Sequence, residues 1–281
     1  ILTDWQSNFD LQRGPLFQFG YLFGYRDGSA RIYLAMHHMI IDGVSWRILA
    51  EDIRTLYEGK KLPGKGSSYR QWVESVNDYR EQHPKEGTYW EEQLQGMPTY
   101  HLVVDQQAYS SITSLELGKG LTKSLLQKAS RAYHTEINDL LLTALAYALK
   151  DINQNDVQGI TLEGHGREAI DSSIDHSHTV GWFTSMFPVR LELKSTLKDS
   201  IQSIKESLRT IPNKGIGFGT FAVSNKTTYT HSDLVPISFN YLGQFGTQHG
   251  EWQLTPESSG MNVHPANGNP HLISINGMVS E

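Results

Sequence analysis

The chain contains no cysteine among its 281 residues. That excludes a disulfide scaffold, a zinc-cysteine site and a cysteine nucleophile, and it fits a reducing compartment. No run of about 18 apolar residues is present, so no segment reads as a membrane-spanning helix, and no signal peptide is visible. An excess of basic residues is also missing. Lys and Arg number 24 against 30 Asp and Glu, a formal net charge of −6, with both signs mixed along the chain. A nucleic-acid protein needs a strongly basic face, and a disordered polyelectrolyte needs blocks of one sign. Repeats and low-complexity tracts are absent. So are the Walker and Rossmann glycine patterns, the Gly-x-Ser-x-Gly elbow and His-Glu-x-x-His. The pairs Glu163-x-His165 and His176-x-His178 lie on no clear helix face, so no metal site is expected.

What is present reads as an α/β protein. At about 150 residues per domain the length predicts two domains or lobes. Apolar residues make up 38%, and 25 Gly bring the total into the ordinary globular range. Arg31 to Met36 alternates with a period of two, a half-buried strand. Val44 to Glu58 repeats apolar residues at helical spacing, and Gly59 supplies a stop. Tyr69 to Leu94 reads as helix broken at Pro84 and Gly87, Ile112 to Leu117 as a strand, and Leu121 to His134 as a helix. Asn138 is the expected N-cap of a helix over Asp139 to Ile152. Strands are expected at Ile160 to Leu162, within Thr179 to Leu193 and over Val235 to Leu242, with a helix over Leu197 to Leu208. The break between lobes is expected within 96–111, giving lobes of 1–105 and 106–281. Ligand sites in such architectures often lie between lobes.

Three polar constellations stand at strand ends. The first is His37-His38-x-x-x-Asp42-Gly43, which joins a strand to a helix through an Asp-Gly turn. Histidine suits proton transfer near neutral pH, and an acid four residues on can lie beside it or anchor the loop. A pair of satisfied histidines and a turn aspartate fit the spacing equally well. The second is Glu163-Gly164-His165-Gly166-Arg167-Glu168, directly after a strand. A carboxyl there can serve as base or acid, and glycines let backbone approach closely; alone, a charged surface loop is the better reading. The third is Asn240-Tyr241-Leu242-Gly243. A tyrosine at a strand end can donate a hydrogen bond to a developing oxyanion, or can simply be a core aromatic.

Together these segments resemble the epimerization domain of nonribosomal peptide synthetases, a branch of the condensation-domain superfamily. The residues that carry the resemblance run in family order. They are His37 to Leu49, Glu163 to Glu168, Thr179-Val180-Gly181-Trp182-Phe183-Thr184, Pro212 to Gly219, and Phe239-Asn240-Tyr241-Leu242-Gly243. The His motif alone would not separate this branch from peptide-bond-forming condensation domains; the Glu163, Gly-Trp-Phe-Thr and Asn-Tyr-Leu-Gly motifs do. The resemblance implies two chloramphenicol-acetyltransferase-like lobes forming a V, with the active site in a tunnel between them. It implies reversible inversion at the α-carbon of an aminoacyl or peptidyl thioester. The substrate would hang on the 4′-phosphopantetheine arm of an upstream peptidyl carrier protein, in cis and among other synthetase domains. The resemblance implies no metal or cofactor held by the domain itself; with the charge balance and the lack of apolar runs, neither nucleic acid nor a membrane is an expected partner, and a cytoplasmic location is expected. By the same resemblance His38 and Glu163 are the acid/base pair and Tyr241 binds the enolate oxygen or assists reprotonation. Asp42 and Gly43 hold the His loop, and His37 and Asn240 shape the site.

Three features depart from the family pattern. His178 stands where an arginine usually precedes Thr-Val-Gly-Trp-Phe-Thr and pairs with the aspartate of the His motif; Arg47 and Arg167 are the candidate replacements. The chain begins Ile1-Leu2-Thr3-Asp4 and ends just after the apolar stretch His271 to Val279, so it reads as an internal excerpt that lacks the beginning of the first lobe and the last strands. The segment over about 95–111 is shorter than the resemblance leads one to expect. Two rival readings follow: a peptide-bond-forming condensation domain, and a degenerate module that only docks carrier or partner domains.

Overall fold

The computed structural model describes residues 1–100, 111–222, 234–245, 252–255, 257–264, 266–267 and 271–280. Contacts divide the chain into two compact units. The first comprises Ile1–Asn77, His165–Thr184 and Gly246–Pro270, the second Asp78–Gly164, Ser185–Phe245 and His271–Glu281. Each unit thus draws on three separated stretches of chain. The single boundary expected at 105/106 lies outside the described residues.

In the first unit, helix α1 (Leu2–Ser7) precedes the antiparallel pair β1 (Phe17–Leu22) and β2 (Arg31–Met36). Strand β2 holds the bounds its alternation predicts, but in the opposite phase: Tyr33 and Ala35 are its buried positions, while Ile32, from the apolar set Ile32, Leu34 and Met36, is 40% exposed. Strand β1 alternates too, but Phe17, Phe19 and Tyr21 are its exposed positions. A 3₁₀ turn over His38–Ile40 leads into helix α2 (Gly43–Tyr57), with Asp42 as N-cap. Helix α3 (Tyr69–Gln82) crosses the division between the units.

The second unit is built on a four-stranded mixed sheet of order β4-β3-β5-β6. Its strands are β3 (Val157–Gly164), β4 (Ser185–Glu192), β5 (Ile237–Phe245) and β6 (Ile273–Ser280). β3 runs antiparallel to β4 and parallel to β5, and β5 runs parallel to β6. One face carries Phe187, Val189 and Leu191 from β4, Ile160 from β3, and Ile237 and Phe239 from β5. Helices cover that face: α4 (Glu86–Gln95) through Trp90, α7 (Ile137–Asn153), α8 (Leu197–Arg209) and α9 (Phe218–Ala222). Leu142, Ala146 and Leu149 recur every three or four residues along α7, and Ile201 and Ile204 do so on α8, which aims one stripe of each helix at the sheet. Each such leucine or isoleucine, fully buried, contributes roughly 1.5–3 kcal/mol.

Three expectations are corrected. Residues 111–117 form no strand; they are exposed throughout, with Ile112 at 97% and Leu115 at 89%. Exposed on every side and paired with no strand among the described residues, the stretch buries no face that would hold it extended. The cap of α7 is Glu136 rather than Asn138: the Glu136 side chain accepts from the N3 backbone while Asp139 reaches back to the Glu136 N–H, a reciprocal capping box. The helix expected from Leu121 is three joined segments, α5 (Lys119–Lys123), a π-helical stretch Ser124–Ala129 and α6 (Ser130–Tyr133), ending at His134 with φ of 52°.

Candidate functional site

In the first unit the chemistry gathers around Asp42. Its carboxylate is buried and accepts from the backbone N–H of Ser45 (2.7 Å) and of Phe183 (3.1 Å). The first of these bonds caps α2, and the second ties the helix start to the Gly-Trp-Phe-Thr segment. The cation that the sequence left open is Arg167. Its Nη2 lies 3.4 Å from Asp42 Oδ1 and donates to Ser45 Oγ at 2.9 Å, while Nη1 donates to the carbonyls of Thr179 (2.8 Å) and His176 (3.1 Å). The guanidinium centre stands 3.8 Å over the Phe183 ring, a cation–π arrangement. Burial lowers the Arg167 pKa, and the neighbouring Asp42 charge opposes that shift. His178, at the position where the family has arginine, is exposed. Arg47 is exposed on α2.

Ser45 is the residue in this network to which the sequence assigned no role. It is fully buried, donates to the Gly181 carbonyl at 3.0 Å and accepts from the Gly181 N–H at 3.1 Å. Its signal was positional: three residues after an N-cap aspartate, its N–H is the one an N-cap side chain takes.

The two histidines differ. His37 Nδ1 accepts from the Met39 N–H (3.2 Å), and the ring meets Phe9 edge-on at 6.0 Å. His37 thus acts as the cap of the 3₁₀ turn. His38 is exposed, with its ring centroid 5.0 Å from that of Trp182. Gly43 opens α2, and a Cβ there would meet nothing within 4 Å. His165 Nδ1 accepts from the Arg167 N–H (3.0 Å), which leaves Nε2 to face the Glu168 carboxylate at 3.3 Å.

In the second unit the site is the end of the sheet. The β3–β5 register pairs Thr161 with Ser238 and Leu162 with Phe239. One step on, it brings Glu163 beside Asn240, whose Nδ2 donates to Glu163 Oε2 at 2.7 Å. Successive strand side chains point to opposite faces, so Tyr241 falls on the other face, packed against the apolar core. Its hydroxyl is buried and has no hydrogen-bond partner among the described residues. Burial pushes the Tyr241 pKa up, so the phenol keeps its proton at neutral pH. Gly164 follows Glu163 closely walled: a Cβ there would lie 2.9 Å from Ser185 Oγ. The structure thus joins Glu163 to Asn240 and Asp42 to Arg167. It places Tyr241 across the sheet from Glu163. Among the described residues no group of three or more His, Asp or Glu is arranged to hold a metal ion, and no helix is long and apolar enough to cross a membrane.

Comparison with known proteins fits this geometry. The family model for the condensation domain matches residues 1–272. The chain is 39% identical over 276 residues to N-(5-amino-5-carboxypentanoyl)-L-cysteinyl-D-valine synthase of Amycolatopsis lactamdurans, covering 95% of this chain and 7% of the synthase. It is 36% identical over 303 residues to tyrocidine synthase 2 of Brevibacillus parabrevis, covering 98% of this chain and 8% of that protein. It therefore spans a small part of these large relatives. Among solved structures it is similar to the epimerization domain from the third module of tyrocidine synthetase B, with a TM-score of 0.84 and 34% identity, covering 100% of this chain and 67% of that one. The first condensation domain of the CDA synthetase shares the fold, with a TM-score of 0.61 and 19% identity over 82% of this chain and 52% of that one.

Proposed function

Because the chain belongs to the condensation domain family, we propose that it inverts the α-carbon of an aminoacyl or peptidyl thioester carried on the 4′-phosphopantetheine arm of a peptidyl carrier protein. The observation that carries this reading is the likeness of the whole of this chain to two thirds of an epimerization domain at 34% identity. The Asn240–Glu163 bond supports it, since it orients a carboxylate with an amide drawn from a motif 77 residues away. Arg167 also answers the objection raised by His178, because Asp42 has a buried cation from the Glu163 motif itself.

A thioester acidifies its α-proton without bringing it near neutrality, so the enzyme must supply a base, a place for the negative charge and an acid. In this reading one of Glu163 and His38 takes the α-proton. The C–H electron pair moves onto the thioester oxygen as an enolate, and the other residue returns a proton to the opposite face. Tyr241, protonated at neutral pH, is the donor assigned to the enolate oxygen. The carrier arm supplies the substrate, and the domain holds no cofactor of its own.

The test loads an L-aminoacyl group onto a carrier protein and follows α-deuterium and chirality together in D₂O with the folded chain. Deuterium gain with appearance of the D-isomer is expected, lost by roughly 10²–10⁴-fold in Glu163→Gln and His38→Ala. Peptide-bond formation between two loaded carriers without α-exchange would replace this reading with condensation. A folded chain that binds carrier and does neither would leave the docking module.

A further inference from the structure

Glu86 is a carboxylate that the reaction above does not use, yet it is 7% exposed in the core of the second unit. No lysine or arginine pairs with it among the described residues. A buried carboxylate is costly unless hydrogen-bonded, and two donors meet it: the Tyr79 hydroxyl at 2.6 Å on Oε2 and Trp90 Nε1 at 2.9 Å on Oε1. Tyr79 and Trp90 are themselves almost fully buried. The Tyr79 oxygen in turn accepts from Asn213 Nδ2 at 2.5 Å. The series of bonds therefore runs from Asn213 through Tyr79 to Glu86.

Asn213 opens an unusual stretch. Asn213 and Lys214 have φ of 38° and 50°, in the left-handed region that side chains disfavour. Two consecutive non-glycine residues hold that conformation only if their surroundings over-determine it. The tie to Tyr79 is one such hold. Gly217 is another: a Cβ there would collide with Glu86 Oε1 and fall 2.6 Å from the Tyr79 ring, so the backbone lies directly on this network. The turn also leans on the strand end. A Cβ on Gly164 would lie 3.6 Å from the Lys214 carbonyl oxygen, and Gly164 is the residue after Glu163.

We propose that Glu86 is a positioning residue: through Tyr79 and Asn213 it fixes the 212–217 turn against the end of β3 and so sets the direction of the Glu163 carboxylate. This rests on the epimerization reading. Tyr79→Phe leaves the buried Glu86 carboxylate short of a donor and is expected to cost stability as well as rate, whereas Asn213 is exposed and its loss strips no donor from Glu86. A misplacement of about 1 Å at a reacting group can cost 10²-fold in rate, so Asn213→Gly is the variant in which turnover is expected to fall more than stability.

The experiment measures α-deuterium exchange on loaded carrier with the full chain, separating kcat from KM. Two variants cut the tie. Tyr79→Phe removes the hydroxyl and keeps the ring. Asn213→Gly removes the amide at an exposed position and accepts the left-handed backbone at lower cost than asparagine. Each is expected to lower kcat roughly tenfold or more with KM for the carrier unchanged. Glu86→Gln added to Tyr79→Phe should cost less than the product of the two single effects, as members of one network do. Ile204→Val, a core truncation, serves as the stability control and should keep its kcat. Wild-type kcat in folded Asn213→Gly overturns the inference, as does a loss matched by an equally destabilised Ile204→Val. If Tyr79→Phe does not fold, Asn213→Gly decides alone. A wild-type chain that gives no exchange removes the epimerization reading, and this inference with it.

Discussion

Arg167 Nη2 stands 3.4 Å from Asp42 Oδ1, with the Arg167 and Asp42 side chains 8% and 3% exposed. This pair links the second polar motif of the sequence to the first across 125 residues. The arginine also satisfies Ser45 and two carbonyls, which a point-charge ammonium cannot do from one position. Removing one member of a buried pair costs about 3–5 kcal/mol, because the other charge stays buried and unpaired. Arg167→Ala is expected to lose that much in chemical denaturation, and Arg167→Lys to recover only part of it. His178→Arg, at an exposed position, should change stability by no more than about 0.5 kcal/mol. A large gain from His178→Arg would mean that Asp42 still lacks its cation.

Asn240 makes a different kind of bond. Its amide donates to Glu163 Oε2, and a hydrogen bond to a charged group is worth about 1.5–3 kcal/mol. Asn240→Ala should therefore reduce the exchange rate by roughly tenfold or more through kcat. Asn240→Asp should be worse than alanine, since it sets an acceptor against an acceptor. Steady-state kinetics on a single loaded carrier checks the order, and equal rates for the two variants would count against Glu163 as the acid/base group.

Much of this was legible in the sequence, for reasons that differ by element. Period alone placed strand β2 and helix α2 within a residue of their bounds, but it did not give the buried side of β2, which is Tyr33 and Ala35 rather than Ile32, Leu34 and Met36. The Asp42, Glu163 and Asn240 motifs could be seen at strand ends, but on their residues alone the Glu163 motif reads as a surface loop and the Asn240 motif as a core strand; it was their family order that singled them out. Partnership was not visible. Glu163 meets Asn240 through a parallel register that local pattern does not encode, and Arg167 could be named only as one of two candidates. Periodicity misread residues 112–117, where alternation exists without a neighbouring strand among the described residues, and it left β1 unread. There Phe17, Phe19 and Tyr21 lie on the exposed side, against the usual sense of apolar alternation. Glu86 gave no signal at all, because its place in the core depends on Tyr79, Trp90 and a turn more than 120 residues away.

Tyr241 tests how far the motif can be trusted over the register. The sheet puts it on the core face, across from Glu163, with a buried hydroxyl that has no hydrogen-bond partner among the described residues. A donor to the enolate oxygen would lose about 10²–10³-fold in kcat on removal. A hydroxyl that is only buried would gain stability on removal, because an unsatisfied buried polar group costs about 1–3 kcal/mol. Tyr241→Phe separates the two. A kcat loss with a Tm no lower than wild type is expected, and a stabilised variant with wild-type kcat would reduce Tyr241 to a core residue.

Glu257 should contribute a small share of the acid limb of stability in the first unit, small because the pair it makes is open to solvent. Hydrogen bonds from Thr255, from Arg31 and from the backbone hold its carboxyl below the ordinary 4.5, at about 2. Arg31 Nη2 reaches it at 2.9 Å and so ties the start of β2 to the segment around Glu257. A carboxyl depressed in the folded state binds fewer protons there than in the unfolded chain. Its contribution is therefore fully present above about pH 4.5 and fades as pH falls toward about 2. Asp27 and Asp175 are lowered in the same sense by their hydrogen bonds with Ser29 and Ser177, so the slope is shared. Glu257→Gln should flatten the decline of Tm over that window without abolishing it, and should leave Tm at neutral pH lower than wild type. Superimposable Tm-against-pH curves for the two proteins would show that the Arg31–Glu257 pair does not persist in solution.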